Sequence, residues 1–245
     1  MEVKNELAVR EDLAAIHQIA VLNGHHEGID NHFTMMVPGY DDRFYLLPFG
    51  IHWAEVTPED FMIVDFNGKV LQGDGEVEPT ALHIHAPIHK SLPDAKCVLH
   101  THMPFATALA LLEVPELLMV SQNASRYYKS VAYDQEYNGL VLDSTEGKRL
   151  AALIGENRVL FLSNHGVIVL GKTVAQAYED LYFLERACQV QILAQSTGQK
   201  LNPIELDVLE ALKGQMVSDS YENNRRAELL LLAYKRLLKK EISKI

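Results

Sequence analysis

The chain has 245 residues, a formal net charge of −11 and 48% apolar residues. This length allows one large domain or two small ones, and the apolar fraction suffices for a buried core. The negative charge argues against a nucleic-acid partner, because phosphate backbones attract basic surfaces. We expect no membrane span, because no uncharged apolar run reaches the length of about 18 residues that a spanning helix needs.

The two cysteines, Cys97 and Cys188, lie far apart within apolar segments. We expect buried thiols of a cytoplasmic protein, because a reducing compartment disfavours a disulfide. The first six residues are charged and lack the apolar core of a signal peptide.

The first half of the chain alternates between predicted helices and short strands. Apolar residues at helical spacing predict a helix over residues 8–23. Apolar runs bounded by turn residues predict four strands, at 33–37, 43–47, 61–66 and 69–71. A further helix is expected to begin at Glu78-Pro79-Thr80 and to carry His83, His85 and His89, with a kink at Pro87.

The second half contains a buried strand leading into residues 98–102 and a small-residue helix over 104–112. Residues 117–143 fit no single pattern. Further helices are predicted from Ser144 to about Gly155, over 173–194 and along the tail from 206 to 245. Because helices and short strands interleave, the class is α/β with a mixed or largely antiparallel sheet.

Three histidines indicate a metal site. His100 and His102 stand two residues apart on the predicted strand, so their side chains point the same way. His165 stands at a polar break between two apolar runs. Neutral imidazole binds zinc and similar ions, and three protein ligands with one open position are typical of a catalytic metal site.

Four motifs together resemble the class II aldolase/adducin family, in particular its adducin-like branch. The similarity extends over about residues 10–200 with order and spacing preserved. The matching stretches are GIDNHFT at 28–34, PFGIHWAEVT at 48–57, HAPIHKSLPDAKCVLHTH at 85–102, and NHG at 164–166 followed by Gly171.

The resemblance implies a three-layer α/β/α sandwich around a mainly antiparallel sheet, assembled as a homotetramer. It implies one domain over 1–245 with a helical tail from about 203. It also implies that His100, His102 and His165 bind a divalent metal, with zinc as first choice and manganese as the alternative.

The sequence departs from the family's sugar-phosphate aldolases at the catalytic base. Their glutamate, four residues before the histidine that matches His85, is replaced here by Ala81. Alanine cannot take a proton from a substrate carbon. Glu78, one turn earlier, and His83 are the candidate replacements, although an acid at a helix start also has a purely structural use.

The stretches that bind phosphate in those aldolases are also altered. Phe49 replaces a hydroxyl residue, and Glu78-Pro79-Thr80 replaces a second hydroxyl stretch; an acid there would repel phosphate. We therefore expect a small substrate without phosphate. The substrate-binding candidates are Asn31, Phe49, Gly50 and Thr80.

Two functions remain open at this point. The first is a metal-dependent lyase that cleaves or forms a C–C bond in a hydroxy or keto acid, as a decarboxylase or an aldolase. Decarboxylation needs no base, and Tyr133 or Tyr137 would return the proton. The second is a non-catalytic, adducin-like oligomeric scaffold with a vestigial metal site.

Overall fold

The computed structural model describes residues 5–216 and 224–242. Over these residues the helices are α1 (Glu6–Asn23), α2 (Pro79–Ser91), α3 (Pro104–Ala110), α4 (Gln122–Ser125), α5 (Ser144–Ile154), α6 (Val174–Gln195), α7 (Leu206–Met216) and α8 (Arg225–Ile242). The strands are β1 (His32–Met36), β2 (Arg43–Leu46), β3 (Met62–Asp65), β4 (Val70–Gln72), β5 (Cys97–Thr101), β6 (Val131–Asp134), β7 (Val159–Leu162) and β8 (Gly166–Gly171).

The strands form one sheet in the order β4-β3-β2-β1-β5-β8-β7-β6. Only β6 and β7 pair in parallel in the part of the chain that the structure describes; the other neighbours are antiparallel. Helices cover both faces, so the predicted three-layer α/β/α class is confirmed. None of the described helices has the length and apolarity needed to cross a membrane.

Side-chain alternation along β5 assigns its residues to two layers. Cys97 and Leu99 belong to the larger core, which contains α1, α3 and α6. Val98 belongs to the core formed with α2 and α5, and His100 therefore points to that same side. The central strand thus carries its histidine toward the α2 layer.

The register of β1 against β5 places further polar groups on this side of the sheet. His32 stands opposite His100, and Thr34 stands opposite Val98. On α2, His85 and His89 share one helix face and are both buried. The side chains of His32 and Thr34 on β1 therefore face those of His85 and His89 on α2.

Several predicted boundaries change in the structure. The helix α2 continues through Pro87 to Ser91, and α5 has Asp143 as its N-cap, one residue before Ser144. The segment 117–143, which fitted no pattern, contains α4, β6 and connecting loops. The predicted helical tail forms α7 and α8, while 217–223 and 243–245 lie outside the described residues. Both cysteines are buried and unpaired.

Candidate metal centre

The three predicted ligands lie together at one end of the sheet. One ligand nitrogen from each of His100, His102 and His165 falls within 4.8 Å of the others. His100 lies on the buried strand β5, and His102 follows it by two residues. His165 lies in the turn between β7 and β8, where Asn164 has a φ of 56°. The cluster therefore combines a strand end with the neighbouring turn.

The hydrogen bonds of His100 and His102 leave both Nε2 atoms unprotonated when the rings are neutral. His100 Nδ1 donates to the carbonyl oxygen of Val167 over 3.0 Å, and His102 Nδ1 donates to the carboxylate of Glu27. A neutral imidazole carries one N–H, so the proton on Nδ1 leaves a lone pair on Nε2. A histidine fixed by a carboxylate in this way is the usual arrangement around a bound metal.

The two Nε2 atoms stand 3.1 Å apart. Two lone pairs at this distance repel each other unless a cation lies between them or beside them. The ring centroids of His100 and His165 are 4.7 Å apart, and those of His102 and His165 are also 4.7 Å apart. The donor set therefore fits a divalent cation held by three neutral imidazoles, with an open position for a further ligand.

A cleft of about 490 Å³ opens beside the three histidines. Carboxylates of Glu27, Asp30 and Glu78 line one part of it. No lysine or arginine occurs among the described residues of its lining. Its apolar lining consists of Phe49, Pro79, Ile84, Tyr137, Leu140, Val141 and Leu142. The cleft therefore favours an apolar substrate body over a phosphate group.

The predicted substrate-binding residues occupy different positions. Phe49 and Thr80 line the cleft, and the Phe49 side chain is 41% exposed, so it forms a wall rather than part of the core. Asn31 is buried at the base of the site and accepts a long 3.5 Å hydrogen bond from the amide of His102. Gly50 has a φ of 96° and lies in the turn after Phe49, outside the cleft lining.

Glu78 reaches the cleft, but one carboxylate oxygen is committed to the helix. It is the N-cap of α2, where Oε2 accepts from the Ala81 amide and from the Thr80 hydroxyl, the latter over 2.6 Å. Ala81, which the resemblance places at the position of the base, is fully buried in the core beneath. His83 is outside the lining. The capping role therefore restrains the carboxylate expected to act as a base.

Tyr133 lies away from the cleft. Its hydroxyl accepts a hydrogen bond from the Leu117 amide over 3.0 Å, its ring stacks on Phe161, and burial raises its pKa to about 12. Tyr137, the other tyrosine considered, lines the cleft, and its ring centroid is 6.3 Å from that of His165. The structure therefore favours Tyr137 over Tyr133 as a group facing a substrate.

Sequence reasoning did not single out two residues of the site, Glu27 and His32. Glu27 lies five residues before the start of β1 and reaches His102 across the fold. His32 lines the cleft, with its ring centroid 4.8 Å from that of His100. The signal available in the sequence was the position of both residues in or beside the 28–34 motif.

Replacing Glu27 with glutamine is expected to weaken metal binding roughly 10- to 100-fold, because the amide no longer orients and polarises His102. Isothermal titration with zinc measures this change. Asp30→Asn is the matched control, since Asp30 also lines the cleft but makes no hydrogen bond to the three histidines. Equal losses in the two variants would contradict the role assigned to Glu27.

Comparison with known proteins agrees with this fold. The profile described as "Class II Aldolase and Adducin N-terminal domain" matches residues 11–192. The crystal structure of an aldolase II superfamily protein from Pseudomonas syringae aligns with a TM-score of 0.85 at 32% identity, covering 95% of this chain and 94% of that one. The chain belongs to the class II aldolase and adducin family.

Two curated relatives represent different parts of this family. Alpha-adducin of Rattus norvegicus is 31% identical over 193 residues, covering 77% of this chain but only 26% of adducin. A Streptomyces roseochromogenus protein, named 4-hydroxy-3-prenylphenylpyruvate oxygenase/4-hydroxy-3-prenylbenzoate synthase, is 28% identical over 204 residues, covering 83% of this chain and 73% of that protein. The relatives of this chain thus include a protein with an enzyme name as well as adducin.

Proposed function

We propose that this chain is a divalent-metal-dependent carbon–carbon lyase that acts on a hydroxy or keto acid without a phosphate group. The observation that supports this most strongly is the pair of unprotonated Nε2 atoms of His100 and His102, 3.1 Å apart and next to His165. Zinc is the first choice because three imidazole ligands suit it, with manganese as the alternative.

Each residue of the site would have a separate role. His100, His102 and His165 would hold the ion, and Glu27 would keep His102 in the binding orientation. When bound, a divalent ion supplies Lewis-acid stabilisation of the negative charge that develops on a carbonyl oxygen as a C–C bond breaks. Phe49 and the other apolar residues of the cleft would hold the substrate body and exclude water from it.

The composition of the cleft supports the substrate class. Carboxylates line the cleft with no lysine or arginine among its described lining residues, and they would repel a phosphate. The apolar walls suit an aromatic or aliphatic group. The Streptomyces relative carries the name of an enzyme of a prenylated aromatic keto acid, which is a substrate of this kind. We therefore infer an acid with an apolar or aromatic substituent.

Between the two lyase reactions, the structure supports decarboxylation more than an aldol reaction that uses Glu78 as base. Ala81 offers no base, and the Glu78 carboxylate is engaged in capping α2. Loss of carbon dioxide creates the carbanion without proton abstraction. Tyr137 is then the proton donor that the geometry favours, because it lines the cleft beside His165.

The test is a screen of the zinc- and manganese-loaded protein against aromatic and aliphatic hydroxy and keto acids. Carbon dioxide release and aldehyde release are measured in parallel, with Tyr137→Phe and Tyr133→Phe as the paired variants. We expect carbon dioxide release that Tyr137→Phe slows roughly 100-fold and Tyr133→Phe leaves nearly unchanged. Aldehyde release without carbon dioxide would instead establish the aldolase reaction.

A non-catalytic scaffold is the second candidate, because adducin is 31% identical to this chain over 193 residues. A scaffold needs no metal, whereas the lyase does. Failure of the purified protein to bind any divalent ion would favour the scaffold, and turnover of any acid in the screen would exclude it.

We also propose a homotetramer, in which a neighbouring copy covers the mouth of the cleft. Leu140 and Leu142 stand there with 76% and 68% of their surfaces exposed. Light scattering coupled to gel filtration is expected to give four times the mass of 27.6 kDa for one chain. A monomer at micromolar concentration would contradict this arrangement.

A further inference from the structure

A continuous hydrogen-bond chain runs from the cleft into the layer between β1 and α2. His32 Nδ1 lies 2.7 Å from His85 Nε2, and His85 Nδ1 lies 2.6 Å from the hydroxyl oxygen of Thr34. The same oxygen lies 2.8 Å from His89 Nε2, and His89 Nδ1 lies 2.6 Å from the carbonyl oxygen of Ala95. The four side chains therefore alternate between strand and helix.

The Ala95 carbonyl fixes the position of every proton in this chain. A carbonyl oxygen only accepts, so His89 Nδ1 carries the proton and its Nε2 accepts from the Thr34 hydroxyl. A hydroxyl has one proton to donate, so the Thr34 oxygen accepts from His85 Nδ1. The unprotonated His85 Nε2 then accepts from His32 Nδ1. The network thus assigns His32 the tautomer with an unprotonated Nε2.

This assignment requires neutral rings, and the surroundings keep them neutral. His85 and His89 are buried. No carboxylate among the described residues forms a hydrogen bond to the imidazole rings of His32, His85 or His89. Burial lowers the pKa of His89 to about 4 and that of His85 well below its ordinary value. A second proton on His85 Nε2 would face the N–H of His32 and lack an acceptor.

His32 therefore presents an acceptor to the cleft. The residue is 7% exposed, lines the cleft with the three metal-site histidines, and makes no hydrogen bond through Nε2 to any described residue. It is not part of the cluster of three nitrogens within 4.8 Å. A group that enters the cleft beside His100 meets this lone pair.

We propose that His32 Nε2 accepts a hydrogen bond from a hydroxyl group of the substrate, so that the site selects hydroxy acids over acids with no hydroxyl donor. This inference rests on the proposed function and narrows its substrate class. A nearly buried acceptor rejects a ligand without a donor, because binding such a ligand would leave the lone pair dehydrated and unpaired. Thr34, His85 and His89 act as positioning residues that hold His32 in the accepting tautomer.

The first experiment compares three small acids on the zinc-loaded full-length protein by isothermal titration. Glycolate carries the hydroxyl, while methoxyacetate and acetate lack the donor. We expect glycolate to bind roughly 10-fold more tightly than either of the other two acids. Equal binding of all three acids would overturn the proposal while leaving the metal site intact.

The matched variant is His32→Phe, which keeps a ring of similar size without the nitrogen. We expect zinc binding to remain near the wild-type level. The preference for glycolate should disappear, so that the three acids bind about equally. A retained preference, or a loss of zinc from this variant, would overturn the role given to His32.

A pair of variants at Thr34 tests whether the hydrogen-bond chain holds His32 in the accepting tautomer. Thr34→Val removes the oxygen that links His85 to His89, while Thr34→Ser keeps it. We expect the preference for glycolate to fall in the valine variant and to persist in the serine variant, with zinc bound in both. An equal preference for glycolate in the two variants would contradict the positioning role of this hydrogen-bond chain.

Nitrogen-15 NMR of the wild-type imidazoles tests the tautomer without any variant or ligand. We expect His32, His85 and His89 each to carry the proton on Nδ1. A proton on His32 Nε2 would overturn the inference. This readout is independent of metal binding, so it separates a failure of this inference from a failure of the proposed function.

Discussion

Acidification from neutral pH to about pH 5 is expected to destabilise the metal-free protein, because buried histidines resist protonation. Burial lowers the pKa values of His17, His25 and His89 to about 4 from 6.5. Between these values the unfolded chain binds protons that the folded chain does not. The free energy of unfolding therefore falls as the pH drops through this interval.

Each such ring contributes a slope of about 1.4 kcal/mol per pH unit, so these three give roughly 4 kcal/mol per unit. Burial raises the pKa values of Asp180 and Glu185, and these groups act in the opposite direction. The seven histidines with lowered pKa values outnumber these two carboxyl groups. Acid should therefore destabilise the fold.

Urea unfolding followed at several pH values measures this slope. His17→Leu is the informative variant, because His17 is buried and its Nε2 has no hydrogen-bond partner among the residues that the structure describes. We expect the slope to fall by about 1.4 kcal/mol per pH unit in this variant. An unfolding free energy that stays level between pH 6.5 and about 4 would contradict the account.

Gly147→Ala is expected to destabilise the protein by about 3 kcal/mol, because α5 packs directly on α2 at this position. A Cβ added to Gly147 would lie 2.0 Å from the backbone oxygen of His83 and 2.9 Å from Pro87. The backbone oxygen cannot rotate away, so one helix must move. For a chain of this size, the melting temperature should fall by roughly 6 to 12 °C.

Gly214→Ala is the matched control for the helical glycine. Gly214 lies in α7, and a Cβ there meets no atom of the described residues within 4 Å. Alanine should stabilise this helix by about 0.5 to 1 kcal/mol. A similar destabilisation in both variants would mean that close helix packing is not the cause.

The elements with a clear period could be predicted from the sequence. An apolar run identified β5, and Glu78-Pro79-Thr80 located the start of α2. The segment 117–143 could not be assigned, because β6 has only four residues and its flanking loops are held by long-range bonds such as the one between Leu117 and Tyr133. Such contacts have no local sequence pattern.

The candidate site was also predicted only in part, because some of its residues come together through long-range contacts. His100 and His102 were identifiable because they stand two residues apart at the end of an apolar run, and His165 because it stands at a polar break between two apolar runs. The choice between Tyr133 and Tyr137 depended on where β6 ends, because Tyr133 lies within this strand and Tyr137 lies in the loop that follows it. The role of His32 depends on the register of β1 against β5 and on α2, which only the folded structure supplies.

The metal content of the purified protein tests the central claim most directly. After incubation with zinc and removal of free ions, elemental analysis is expected to find about one zinc per chain. His100→Ala should lose most of this zinc, because His100 supplies one of the three ligand nitrogens. Wild-type protein without zinc or manganese, or a variant that retains the full amount, would contradict the assignment of these histidines as a metal centre.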